Sequence, residues 1–185
     1  ELNSSAYNYG TLIGTHVQYA GNNGRVYNYG TIESGGHGQN ILNDSLAVNY
    51  GIIIGKGDIG QGINGDNSIL KNYGVIATDS ERGQSSAEKE NVNLCNLKIY
   101  NYGIIANKGK KNEKGELVGL GQVLNSKNGS GFNYGLIIND GHLGQKLAGE
   151  NSEIYNYGLI ANKGKEGQEI EGKNNTGYNY GIIAN

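Results

Sequence analysis

Proline, methionine and tryptophan are absent from the 185 residues, and cysteine and phenylalanine each occur once. A lone Cys95 closes no intramolecular disulfide, which excludes a disulfide-stapled scaffold. No apolar run approaches the roughly 18 residues of a membrane-crossing helix. Cationic charge is also scarce: a net charge of -2 and a pI near 5.9 argue against binding nucleic acid through its phosphates. No Gly-x-Ser-x-Gly, phosphate-loop or His-Glu-x-x-His pattern occurs, and Asp44, Asp58 and Asp66 do not have calcium-loop spacing. His16 and His37 fall at equivalent places, but Ile59 and Arg82 follow them there, so no metal site is expected. No secretion signal is visible. The chain starts at Glu1 and stops at Asn185 inside a repeat, which reads as a piece of a longer protein.

What is abundant is glycine, 33 residues, and tyrosine, 14 residues, and both are periodic. The tripeptide Asn-Tyr-Gly occurs eight times, beginning at Asn8, Asn28, Asn49, Asn72, Asn101, Asn133, Asn156 and Asn179. The spacings are 20, 21, 23, 29, 32, 23 and 23 residues. A period in the twenties marks a solenoid whose repeats are single coils. Glutamine recurs between the tripeptides at Gln18, Gln39, Gln61, Gln84, Gln122, Gln145 and Gln168, with glycine before it in six of seven cases. Aligned on both landmarks, the basic coil has 23 residues, and the two long spacings each carry one insertion, near residues 85–93 and 108–116.

Around each tripeptide the pattern is that of a strand. Counting its Asn as zero, position +4 is Leu12 and then Ile in every coil, while -2 is mostly aliphatic. Residues two apart on a strand share a face. Positions -2, Asn, Gly and +4 are therefore expected inward, and -1, +1 and +3 outward. Ala20, Ile41, Ile63, Leu124 and Leu147, two residues after their glutamines, form a second inward column. A further Asn or Asp recurs five residues before each motif, from Asn3 to Asn174. Three stacked amide columns are thus expected to hydrogen-bond from coil to coil, about 4.8 Å apart, as in cross-β ladders. Parallel crossovers are overwhelmingly right-handed, and six-residue periodicity is lacking. The expected fold is an all-β, right-handed parallel β-helix of about eight coils, one segment spanning residues 1–185.

The run Val26-Tyr27-Asn28-Tyr29-Gly30-Thr31-Ile32 resembles the repeats of autotransporter passenger domains, the secreted β-helical stalks and adhesins of type V secretion. The resemblance covers all eight motifs, and sparse cysteine is typical of such passengers. The tyrosine at +1 in every coil departs from them, since many passengers vary there. The resemblance implies a monomeric segment displayed outside the bacterial cell and attached to the outer membrane only through a C-terminal translocator. It also implies attachment to a host or bacterial surface protein or glycan, and no cofactor. Secreted β-helices also include polysaccharide lyases and glycoside hydrolases. Those need acidic groups gathered on one outward face, where the columns here show tyrosine and aliphatics. Ice binding would want rows of threonine, and only Thr11 and Thr31 sit at +3.

Two features carry candidate contact residues. One is the outward tyrosine column, including Tyr73, Tyr102 and Tyr134, which offers large contact area with polar tips or else stabilises the sheet by stacking. The other is the pair of insertions in consecutive coils, since loops on a rigid scaffold carry function. The first contains Glu88-Lys89-Glu90; the second contains Lys108, Lys110, Lys111 and Lys114. The insertions break the repeat at one place, so the specific contact is expected there.

Overall fold

The computed structural model describes residues 4–79, 81–86 and 94–185, and every regular element among them is a β-strand. The strands stack in parallel into a solenoid of about seven turns with about 23 residues per turn. Each coil has three faces. The first is an eight-stranded sheet built from the residues leading into each tripeptide, from Ser5–Asn8 to Thr176–Asn179. The second face follows the tripeptide, as in Ile104–Asn107 and Leu136–Asn139. The third carries the glutamines, as in Ile59–Ile63 and Leu143–Glu150. Thr11–Ala20 and Thr31–Ile41 run through the corner between the second and third faces, which joins those faces into one 13-stranded sheet. Register follows the sequence alignment: Asn101 pairs with Asn72 and Asn133, and Gln84 with Gln61 and Gln122.

The interior is divided into two apolar stacks. Ile32, Ile53, Ile76, Ile105, Ile137 and Ile160, all at +4, form one stack, each fully buried. The -2 column and the column two after glutamine form the other, including Leu70, Ile99, Leu124 and Leu147. Between them stand the amides. Asn8, Asn28, Asn49, Asn72, Asn101, Asn133 and Asn156 each donate from Nδ2 to Oδ1 of the next asparagine, at 2.8–2.9 Å. The glutamines run the other way: Gln39 donates back to Gln18, Gln61 to Gln39, and so on to Gln168, at 2.7–3.0 Å. Their second N–H reaches across to the first face, as when Gln84 donates to the Tyr100 carbonyl at 3.2 Å. Opposed ladders let the amide dipoles of one column offset those of the other while satisfying groups that no water reaches.

The inward assignment of -2, Asn and +4 agrees with this burial, but the motif glycine is different. The alternation is interrupted at Tyr-Gly, where the chain bends out of the first face. Both N–H groups there, Tyr102 and Gly103 for example, donate to the same carbonyl, that of Asn72. A Cβ on Gly103 would sit 2.1 Å from the Gly74 carbonyl oxygen, so the glycine is required by close approach along the stack. The glycine before each glutamine has a related cause. A Cβ on Gly83 would lie 2.4 Å from the Ile105 side chain, so the isoleucine stack needs a bare backbone there.

The third amide column lies at the surface. Asn23, Asp44, Asn67, Asn96, Asn128, Asn151 and Asn174 all have φ between 51° and 59°, and they sit at a surface turn rather than in the interior. Asn and Asp tolerate that left-handed conformation better than other side-chain-bearing residues, which explains the column. Coil-to-coil links join it, with Asn67 donating to Asp44 at 3.1 Å, Asn96 to Asn67 at 2.9 Å and Asn174 to Asn151 at 3.0 Å. A buried column that the alignment did not single out occupies +6 instead. There Asn139 donates to Asn162 at 2.8 Å, and Asn107 donates to the Leu120 carbonyl at 2.9 Å.

Candidate binding surface

The second insertion is an ordered projecting arm. Lys110–Lys111 and Leu117–Val118 pair as a short antiparallel hairpin. Its tip is held by Asn112, whose Oδ1 accepts from the N–H groups of Lys114 and Glu116 and whose N–H donates to the Glu116 carbonyl. Gly109 and Gly115, at φ 69° and 78°, supply the left-handed residues of the arm. The boundary lies one residue later than the alignment placed it. Lys108 stays on the coil, where its N–H donates to the Thr78 carbonyl, and Leu117 belongs to the arm. Of the first insertion, Ser85 and Ser86 are buried within a strand, and Glu88-Lys89-Glu90 lie outside the described residues.

The four lysines are not equivalent. Lys108 pairs with Asp79 at 3.2 Å and Lys110 with Glu81 at 2.7 Å, both acids being on the preceding coil. The hydrogen bond that the Lys110 ammonium donates to Glu81 holds its pKa above the ordinary value. Lys111 and Lys114 are exposed on the arm, and no ion pair to either is present among the described residues. Lys108 also belongs to a column of alternating sign at +7: Lys56, Asp79, Lys108, Asp140 and Lys163. Lys163 meets Asp140 at 3.0 Å. Exposed pairs of this kind contribute little stability, of the order of 0–1 kcal/mol each.

At its base the arm overhangs the stack and makes two adjoining clefts. One, of about 490 Å³, lies between Glu116–Val118, Asp140–His142 and Lys163–Lys165. The other, of about 410 Å³, runs from Glu81 and Arg82 past Val118–Leu120 to His142, Leu143 and Lys146. Val118 and His142 border both. Burial lowers the Lys146 pKa, but hydrogen bonds donated to Glu171 and Glu169 more than offset it, and the group is held above its ordinary value. The clefts open along the rod axis over four consecutive coils and mix carboxylates, lysines, a histidine and aliphatic carbon. The position of His142 gave no signal in the sequence, because its role depends on a distant hairpin folding over it.

The tyrosines form a continuous column. From Tyr9 to Tyr180 the +1 rings stack at 4.8–5.1 Å between centroids, within 9° of parallel. A second column at -1 joins Tyr100, Phe132, Tyr155 and Tyr178 at 4.8–5.0 Å. Ring faces are therefore consumed in stacking, and what reaches solvent is edges and hydroxyl tips. Burial of the charged form, with neighbouring tyrosines adding to it, raises the pKa of Tyr29, Tyr100, Tyr102 and Tyr157. Tyr155 is raised further, chiefly because its hydroxyl donates to Glu153 at 2.6 Å.

No family model matches the chain, and no curated protein or solved structure matches it. The site is therefore read from its own geometry. Tyr73, Tyr102 and Tyr134 stand together at the corner between the first and second faces. Lys108 and the arm stand at the next corner, between the second and third. The strand Ile104–Asn107 separates them, so the candidate residues divide into two surfaces. Among the described residues no group of three His, Cys, Asp or Glu side chains is placed to hold a metal ion. His16 and His37 do meet, with ring centroids 5.1 Å apart, and Ile59 pairs with His37 on the next coil.

Proposed function

We propose that this chain is a segment of a secreted, surface-displayed binding rod, an adhesin of the autotransporter passenger type, that contacts a surface protein or glycan. The observation that carries the reading is the hairpin 109–118 with its two clefts. It is an ordered arm that leaves the stack of coils at one corner, and a rigid scaffold presenting such a feature is the common arrangement for recognition. The tyrosine column is repeated on every coil and stacked on itself, which suits a structural role and gives no single place for one ligand. Lys111 and Lys114 at the arm would act mainly on the rate of encounter and would be screened by salt. The resemblance of the repeat to passenger domains supports display outside the cell, and fold-level likeness alone does not choose between binding and catalysis.

A second reading is a β-helical polysaccharide lyase or glycoside hydrolase. The larger cleft does gather Glu116, Asp140 and His142. Asp140, however, is engaged by Lys163, and binding remains the better-supported reading. The deciding experiment is a glycan-array and cell-binding screen of the intact chain beside a variant lacking residues 109–117, with released sugar assayed in parallel. Binding that disappears with the arm supports the proposal. Binding that persists unchanged, or reducing ends or unsaturated products that survive repurification, would overturn it.

A further inference from the structure

The outward side of the second face has no part in the hairpin site, and it is apolar over most of the rod. From Ile52 to Ile182 the +3 column contains only Ile, Val and Leu, and from Ile54 to Ala184 the +5 column contains only Ile and Ala. No charged residue interrupts either column across these six coils. The side chains are open to solvent: Ile52 is 43% exposed, Ile104 38%, Ile138 40% and Leu159 38%. Six coils spaced about 4.8 Å, and the six steps from +1 to +7 at about 3.3 Å each, span roughly 29 by 20 Å, or about 600 Å² in projection with the tyrosine and Lys/Asp borders included. Accessible area exceeds projection on a ribbed surface, so this approaches the roughly 800 Å² per partner of a standard stable interface.

We infer that this face binds a second copy of the same chain, the two rods side by side and pointing the same way about a two-fold axis parallel to them. The relief of the face points to that occupant. The +3 column is a ridge of branched side chains, and the +5 column is a shallow trough wherever it holds Ala77, Ala106, Ala161 or Ala184. A two-fold axis along the rod exchanges left and right, so at the four coils with alanine at +5 the ridge meets the partner's trough. An axis across the rod would set ridge on ridge and hold the aliphatic faces apart. The same operation places the tyrosine hydroxyl edge of one copy against the alternating Lys and Asp column of the other, which offers the phenols both acceptors and donors. Coils of equal rise keep the match from end to end, as stacked sheets do at about 10 Å separation. A lipid surface is less well served, because the bordering +7 column alternates in sign rather than being basic. A flat glycan is disfavoured because the tyrosine faces are already stacked. The apolar +3 and +5 columns line neither cleft at the hairpin.

The test is sedimentation velocity of the intact chain from about 1 to about 100 μM, the weak end of affinities for interfaces of this size. A concentration-dependent dimer is expected. Ile104→Lys and Ile138→Lys should each shift the chain to monomer, and Ala106→Leu, which fills the trough, should weaken association at least tenfold. All three should keep the parent circular dichroism and Tm, since these side chains point outward. In a Cys95→Ser background, Ile104→Cys mixed with Ala106→Cys should form an interchain disulfide, and Ile104→Cys alone should not. A monomer at every concentration, or a dimer indifferent to both lysine variants, would sink the proposal. Crosslinking of Ile104→Cys with itself would overturn the parallel geometry. Depletion of a monomeric chain by neutral phosphatidylcholine vesicles would assign the face to lipid instead.

Discussion

Asn101 Nδ2 donates to Asn133 Oδ1 at 2.8 Å across 32 residues of chain, and Asn8 makes the same bond to Asn28 at 2.8 Å across 20. The ladder is thus indifferent to coil length. Extra residues leave the stack at a corner, as the 109–118 arm does, and the core continues beneath them.

Replacing Asn72 with Leu should destabilise the chain by about 1–3 kcal/mol, because buried hydrogen-bonding groups would lose their partners. Asn49 would lose its acceptor, and the Ile104 carbonyl would lose a donor. Urea titration followed by circular dichroism reads the effect. An unchanged midpoint would mean the column is not the buried ladder described.

Gly103→Ala should cost about 3 kcal/mol or more, or prevent folding, since the new methyl would occupy the space of the Gly74 carbonyl oxygen. Gly115→Ala is the control. Its Cβ would meet nothing within 4 Å, so only the left-handed backbone is penalised, at about 1–2 kcal/mol. Equal losses in the two variants would contradict a close-approach role for the motif glycine.

At the surface turn, Asn128→Ala should cost about 1–2 kcal/mol, and Asn128→Gly should lie within about 0.5 kcal/mol of the parent. Both side chains are removed in this pair, so the difference isolates φ, which is 56° at Asn128. Thermal melts that rank Ala level with or above Gly would show that the left-handed backbone is not the reason for the column.

The tyrosines set an alkaline limit. Tyr29, Tyr100, Tyr102, Tyr155 and Tyr157 are held above their ordinary value of 10.0 in the folded chain. As pH rises past 10 the unfolded chain loses these protons first, so the folded state binds more protons. Stability is then fully present below about pH 10 and falls as pH rises through the folded values. Phenolate absorbance should lag behind that of the urea-unfolded chain, with Tyr155 among the last to titrate. Superimposed titration curves would refute the shift.

Removing residues 109–117 shortens the 32-residue spacing by nine to 23 and should leave the parent strand content and Tm. The neighbouring ladder bonds at Asn101 and Gln122 do not involve the arm. A large fall in Tm would show that the arm is part of the fold rather than an addition to it.

The coil count, the parallel stacking, the isoleucine column and both buried ladders were legible in the sequence because each is a one-dimensional repeat. In a solenoid a residue's main neighbours are its own equivalents in adjacent coils, so aligning the repeats is close to listing the contacts. What failed to read out was direction and fit within one coil. The Asn at -5 looked like the Asn at zero, yet one answers a backbone in the left-handed region at the surface and the other an unmet hydrogen bond in the interior. The motif glycine looked like an inward strand position, while the close approach that demands it appears only when the previous coil's carbonyl is in place. The clefts were equally hidden. His142 and Lys163 come from coils after the arm, and only its fold back over Asp140–His142 encloses space there. Tyr102 and Lys108 are six residues apart, yet stand at two different corners, because the intervening strand spends those residues crossing a face. Periodicity therefore determined the architecture, and the bends between strands, which no period encodes, decided where the surfaces lie.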